Sequence, residues 1–262
     1  VVRLLRGGHL ESLQDIVDKL GIGSNLSAAH DHLRIDGKVH GLDIVTVKFG
    51  LLYNSALFDK AGVKPPTSPE EWVQTSVALT KAPDQFGIYS PHLLSEPGDF
   101  WFILQQWAVM FDGVWAKERT PLVNSAPVIE GLKLFKSMYD GAMPKGTDTA
   151  TANQMYANGR IAQQLIVSAA VNIWSSSGPD IYPSLRSVVP PGPSGKAITR
   201  IHPICVNAHA SDDEKAAAKT FVEWLYKPEN YQELMERCLD VVPPYPGAIR
   251  EEYLAKQFWA EG

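Results

Sequence analysis

Three groups of residues in this chain have types and spacing that could do chemistry. His30-Asp31-His32, with His40 nearby, carries the imidazoles and carboxylate that a divalent metal would take. Glu70-Glu71, Asp212-Asp213-Glu214 and Glu251-Glu252 set carboxylates side by side, the raw material of an acid and base for glycoside hydrolysis. Gly21-Ile22-Gly23 offers the small residues of a phosphate-binding loop. None of the three develops into a site. Alternate loop residues do not converge on a metal without further ligands, so the histidines read as solvent-exposed loop side chains. The first two acidic groups fall in the first turn of a helix, where the macrodipole favours negative charge by about 0.3–1 kcal/mol each. A glycosidase needs two isolated carboxylates facing each other across a cleft, and no such pair stands out. The glycines lack the third member of a dinucleotide fingerprint and follow a helix rather than a strand. There is no G-x-S-x-G and no Walker A segment. No catalytic residue, metal or cofactor is expected.

The elements that must position any site are written in the hydrophobic spacing. Leu10, Leu13, Ile16, Val17 and Leu20 repeat helically over residues 9–20. Ile44–Tyr53 is a β-branched and apolar strand, long for one sheet, with Gly50 as the place for a bend or bulge. Ser68-Pro69-Glu70-Glu71 opens a helix to about residue 80: Ser68 caps, Pro69 is the first helical residue, Glu71 closes a capping box, and Trp72, Val73, Val77 and Leu79 are the buried side. Phe86–Tyr89 is a short strand. Phe100, Leu104, Trp107 and Phe111 share one helical face. Asn124-Ser125 starts the next helix, with Val128, Leu132, Phe135 and Tyr139 inward and Gly141 at its end. Ser211 to Glu214 is a second capping box, before a stripe of Ala217, Phe221 and Leu225.

Composition excludes several classes. The 262 residues are 45% hydrophobic and 20% charged, close to globular averages, and can bury one large core or two smaller ones. A net charge of −5 without a basic run argues against nucleic acid and anionic membranes as partners. No apolar run approaches the ~18 residues of a transmembrane helix. Seven tryptophans and nine tyrosines supply flat aromatic surface for either a sugar site or a core. Cys205 and Cys238 read as small buried hydrophobes, with a disulfide between them as the alternative in an oxidising compartment.

The order of residues adds a resemblance. Asp36-Gly37-Lys38-Val39-His40-Gly41-Leu42, then Leu52-Tyr53-Asn54, Leu57-Phe58, Ala61-Gly62-Val63 and Pro66 to Trp72, resembles the extracellular solute-binding proteins of ABC importers, in their carbohydrate-binding, maltose-binding-protein-like branch. His40 stands where that family has an aromatic residue, and Asp43 where it has proline. Residues 122–144 and Met155–Ala162 follow the same family, with Gln163 in place of methionine and Ser168-Ala169-Ala170 in place of Gly-x-Trp. Val189 to Gly195 resembles its proline-rich turn, and Val241-Val242-Pro243-Pro244 its last motif.

The resemblance implies an α/β, two-lobed periplasmic-binding-protein-like (type II) fold with crossing hinge strands, present as an internal fragment incomplete at both termini. Lobe 1 would hold residues 1–44 and 203–248 and lobe 2 residues 49–198. Hinge strands would lie at 45–48 and 199–202, and 249–262 would return toward lobe 2. A lobe 1 lacking strands would be marginally stable. The implied function is capture of a sugar or oligosaccharide in an interlobe cleft, without chemistry, by a monomer that delivers it to ABC permease subunits. The implied location is the periplasm or the outer face of the membrane, on a lipid anchor. The implied ligand contacts are Lys48 and Phe49 on the first crossing strand, Asp99 and Trp101 at a loop-to-helix segment, Trp174 after a strand, and Arg200 and His202 on the return strand. Three of them have an alternative: a solvated Lys48, an N-cap at Asp99, a core tryptophan at 174. Glycerol-phosphate, a polyamine or an osmolyte is the alternative solute class, and an extracellular carbohydrate-active enzyme the alternative activity.

Overall fold

A computed structural model describes residues 1–167, 170–237 and 250–254. The described residues form two compact units: Val1–Val47 with those from Thr199 onward (unit 1), and those of Lys48–Ile198 (unit 2). In chain order the elements are α1 (Val2–Arg6), α2 (Gln14–Leu20), β1 (Arg34–Ile35), β2 (Lys38–Val39), β3 (Leu42–Asn54), α3 (Ser55–Ala61), α4 (Pro69–Ala78) and α5 (Pro97–Val109). There follow β4 (Ala116–Lys117), β5 (Thr120–Pro121), α6 (Ala126–Gly141), α7 (Thr149–Ala157), β6 (Gln163–Val167), α8 (Val171–Ser177) and β7 (Leu185–Val188). Then come β8 (Thr199–Ile204), α9 (Asp212–Leu225), α10 (Pro228–Arg237) and α11 (Glu251–Leu254). No helix among the described residues is long and apolar enough to cross a membrane.

In unit 2, β3 is the middle strand. It pairs antiparallel with β6, from Phe49↔Val167 to Tyr53↔Gln163, and with β7, from Leu51↔Val188 to Asn54↔Leu185. The ladder runs through Gly50↔Ile166 without an extra residue, so no bulge interrupts it at Gly50. Phe49, Leu51 and Leu165 from this sheet meet Trp72 of α4, Ile103 and Trp107 of α5, and Leu134 and Met138 of α6 in the core. Trp72 and Trp107 stack at 5.0 Å. The packing of α5 on α6 needs Gly131, because a Cβ there would lie 2.2 Å from the Trp107 carbonyl oxygen.

Helix α4 is capped by Ser68, whose Oγ accepts from Glu71 N. The Glu71 carboxylate reaches one residue beyond the expected box and accepts from Thr67 N and Oγ1, at 2.9 and 2.7 Å. Its buried face is Trp72, Ser76 and Leu79, and Val77 points outward. That face follows the i, i+4, i+7 row, from which Val77 is turned away. Helix α5 opens with Pro97 as its first residue, which puts Glu96 rather than Asp99 at the N-cap position.

In unit 1 the helix expected from residue 9 begins at Gln14. Residues 9–11 are extended instead: Leu10 bridges Asn207, and Glu11 N donates to Val206 O at 2.9 Å. Strand β8 pairs with β3. Ser211 and Glu214 form both halves of the capping box of α9. The helix buries Val222 and Leu225, while Phe221 is exposed and stacks on Trp224 at 5.9 Å. Lys19–Glu223 (2.7 Å) and Lys219–Asp15 (3.1 Å) tie α2 to α9. Arg250, in the tail expected to return toward lobe 2, pairs with Glu236 of α10 in this unit. Cys205 is a half-buried free thiol; Cys238 and residues 241–244 lie outside the described residues.

Candidate functional site

A polar cluster in unit 2 joins the starts of two helices. The Glu96 side chain does not cap its own helix, α5. Its carboxylate instead accepts from Thr149 N at 3.1 Å and from Thr149 Oγ1 at 2.8 Å, at the first residue of α7. Free N–H groups and the macrodipole both favour an anion there. Asp148, the N-cap of α7, accepts from Thr151 N at 2.7 Å, and these bonds hold its carboxyl below the usual range. Thr149 Oγ1 also accepts from the Tyr89 hydroxyl at 3.1 Å. Tyr89 is fully buried, and burial pushes its phenol well above the ordinary value, so it stays a donor. Thr149, Asn153 and Tyr156 lie at i, i+4 and i+7 on α7 and share one face. A parallel bridge between Tyr89 and Gln164 brings β6 alongside. This arrangement presents hydrogen-bonding groups of both senses and no nucleophile–base pair.

The residues implied by the resemblance fall in different surroundings. Lys48 is exposed on β3, and next to it Phe49 is buried in the unit 2 core with its N–H donated to Ile198 O at 3.0 Å. Asp99 is exposed in the first turn of α5, where its charge suits the helix dipole. Trp101, two residues on and so on another side of α5, is 48% exposed, and its ring lies 5.1 Å from Trp115. Trp174 is 0% exposed on α8, with its ring 4.4 Å from Tyr156. Arg200 is exposed on β8, and His202, on the same side of that strand, is half-buried and donates from Nδ1 to Val45 O at 3.2 Å. Asp99 and Trp101 thus share a helix start, whereas Phe49 and Trp174 are packed inside. Glu96, Tyr89 and Thr149 were missed; the local signal was a carboxylate directly before Pro97 and the Asp148-Thr149 helix start.

Unit 1 has its own buried cluster around Asp43. Asp43 Oδ1 accepts from His202 N at 2.6 Å, and Oδ2 accepts from Thr46 Oγ1. Asp43 N donates to His30 Nε2 at 3.1 Å, and His30 Nδ1 donates to Ser27 O at 3.2 Å. The Tyr231 hydroxyl donates to Ile44 O. Burial pushes the Asp43 carboxyl up, although Thr46 and the His202 N–H pull it down, and burial pushes the His30 imidazole down. His30 is therefore a buried structural side chain rather than the exposed loop residue expected. Among the described residues no group of three or more His, Cys, Asp or Glu could hold a metal.

Residues 1–260 match the family model for bacterial extracellular solute-binding proteins. The chain belongs to this family. Among curated relatives of this solute-binding protein is a putative binding protein of Brucella abortus, 24% identical over 169 residues, covering 62% of the chain and 40% of the relative. A putative binding protein of Brucella suis matches over the same shares. The chain thus spans well under half the length of the curated relatives it matches. Its fold is that of solved solute-binding proteins. UgpB from Mycobacterium tuberculosis, in complex with glycerophosphocholine, has a TM-score of 0.82 at 17% identity, over 99% of this chain and 67% of that one. The GacH receptor of Streptomyces glaucescens, solved unliganded and with acarbose, has a TM-score of 0.80 at 19% identity, over 98% and 66%. Maltose-bound MalE3 of T. maritima has a TM-score of 0.79 at 18% identity, over 93% and 64%.

Proposed function

We propose that this protein is the solute-capturing component of an ABC importer and takes a sugar, oligosaccharide or related polyol without chemically changing it. The observation that carries the reading is the Glu96–Thr149–Tyr89 cluster of unit 2, beside the helix start that bears Asp99 and Trp101. Hydroxyl-rich solutes need a carboxylate or amide to accept, a hydroxyl that can do both, and an indole face to cover C–H groups. Glu96, Thr149 and Trp101 have those chemistries. Family membership supports the same reading, as do solved relatives bound to maltose, acarbose, tagatose, ribitol and D-mannitol. Lys48, Asp99 and Trp101 are the accessible candidate contacts of unit 2, whereas Phe49 and Trp174 are packed in its interior. Arg200 and His202 of unit 1 are separate candidates.

The partners of this reading are ABC permease subunits. The place of action is outside the cytoplasmic membrane, with the protein monomeric and tethered by lipid. A second reading takes a glycerol-phosphate type of solute, favoured by the glycerophosphocholine complex of UgpB and by the exposed Lys48 cation.

A thermal-shift and calorimetric panel of maltose, longer oligosaccharides, D-mannitol, ribitol and glycerophosphocholine tests these readings. Saturable one-to-one binding to a sugar or polyol supports the first, and binding to glycerophosphocholine alone supports the second. Binding to none sinks both. Chromatography of the oligosaccharides after long incubation checks the absence of chemistry, and appearance of shorter products would overturn it.

A further inference from the structure

Buried polar side chains in unit 2 normally find partners within the protein. Gln163 uses its whole amide: Oε1 accepts from Trp72 Nε1 at 3.1 Å, and Nε2 donates to Ser76 Oγ at 3.1 Å and Gly87 O at 3.2 Å. Its neighbour Gln164 is equally buried and donates from Nε2 to Ala152 O at 3.4 Å, but its Oε1 has no partner among the described residues. Asn153 Oδ1, the Tyr156 hydroxyl and Trp174 Nε1 are buried in the same condition. Leaving such an atom unsatisfied costs about 1–3 kcal/mol, so four of them on neighbouring elements mark a site rather than an accident.

The four are contiguous. The Gln164 amide lies against Ala152 on α7, Asn153 and Tyr156 are i, i+3 neighbours on that helix, and the Tyr156 ring is 4.4 Å from Trp174. Gln164, Tyr156 and Trp174 are each 0% exposed. Their chemistry is specific: two carbonyl oxygens that accept, an indole N–H that donates, and a phenol that does both. An anion would face the two oxygens, and a cation would find no counter-charge among the four. A hydroxyl, which donates and accepts, complements all of them. The set also continues the α7 face that begins at Thr149, inward from the Glu96 cluster.

We infer that Asn153, Tyr156, Gln164 and Trp174 form an internal hydroxyl-binding site at the inner end of the polar face of α7. The hydroxyl comes from ordered water or from a polyhydroxylated solute; only the second source rests on the proposed function. The test uses the whole chain labelled with ¹⁵N. The Trp174 indole N–H is assigned as the signal lost in Trp174→Phe, and its through-space transfer to other protons is recorded without solute and then with D-mannitol or maltose. A transfer signal at the water frequency, unchanged by solute, supports a water site. Its replacement by signals at carbon-bound solute protons supports a solute subsite. No signal from either source overturns the inference. Tyr156→Phe supplies a second measurement: a hydroxyl engaged in the site predicts a melting temperature about 2–4 °C lower. An unchanged or higher value overturns the site as well. Because the first arm contains no solute, the site can fail while sugar binding stands, and the reverse.

Discussion

Asp43 stands where the resembling pattern has proline, and the difference changes what the start of β3 can bond. A proline has no N–H to give His30 and no carboxylate for His202 N and Thr46. Burial raises the Asp43 carboxyl above its ordinary value, so the folded chain holds this proton more tightly than the unfolded chain does. Its contribution to stability is then fullest below the unfolded value of about 3.9 and is lost as pH rises through the folded value. Asp43→Asn keeps an oxygen for His202 N and removes the titration. The melting temperature of the variant, taken relative to the parent, should rise between about pH 4 and pH 7. His30, whose lowered value works in the opposite sense below its unfolded 6.5, loses in the variant the Asp43 charge that raises it, so its own shift deepens and adds to the same rise with pH. A difference that stays flat over that range rejects a raised Asp43. Gln163 makes a similar point. It occupies a methionine place in the resembling pattern, yet Trp72, Ser76 and Gly87 all bond to it. Gln163→Met should cost about 2 kcal/mol in denaturant unfolding, because the buried Trp72, Ser76 and Gly87 groups lose these bonds.

The helix starts at Ser68 and Ser211 were readable from the sequence, but the start of α2, at Gln14 rather than residue 9, and the helix faces were less so. Ser68 and Ser211 cap where expected, since capping needs only a hydroxyl beside free N–H groups. Val77, Ala217 and Phe221 were assigned inward and point outward, because a small rotation about the axis exchanges neighbouring rows and apolar residues fill both. Phe221→Ser should therefore change stability by no more than about 0.5 kcal/mol. A loss of a core-like size in denaturant unfolding would show that the face is covered. Gly131 lies within the apolar spacing of α6, but its role depends on the approach of α5. Gly131→Ala drives a methyl against the Trp107 carbonyl and should cost about 2–3 kcal/mol. A neutral melting temperature for this variant would mean that α5 and α6 are not so closely packed.

At the scale of the whole molecule, each unit has its own core and the chain passes between them at Val47–Lys48 and Ile198–Thr199. A solute that binds only the folded protein stabilises it by about 2.7 kcal/mol at a hundred times its Kd. At that same concentration Glu96→Gln, with affinity about tenfold weaker, should be stabilised by about 1.4 kcal/mol. Equal stabilisation of both proteins, measured by calorimetry, would remove Glu96 from the solute site. The sequence alone determined the family and the helix starts capped by Ser68 and Ser211, because motifs such as Asp36–Leu42 and Pro66–Trp72 and the capping residues are local in the chain. The absence of a bulge at Gly50 and the extended path of residues 9–11 were decided by partners distant in sequence: Ile166 pairs with Gly50, and Val206 and Asn207 hold residues 10 and 11. The polar site was decided the same way. Glu96 meets Thr149 across 53 positions of chain, and Trp174 meets Tyr156 only after β6 has turned the chain back, so no spacing within a single segment could announce either contact.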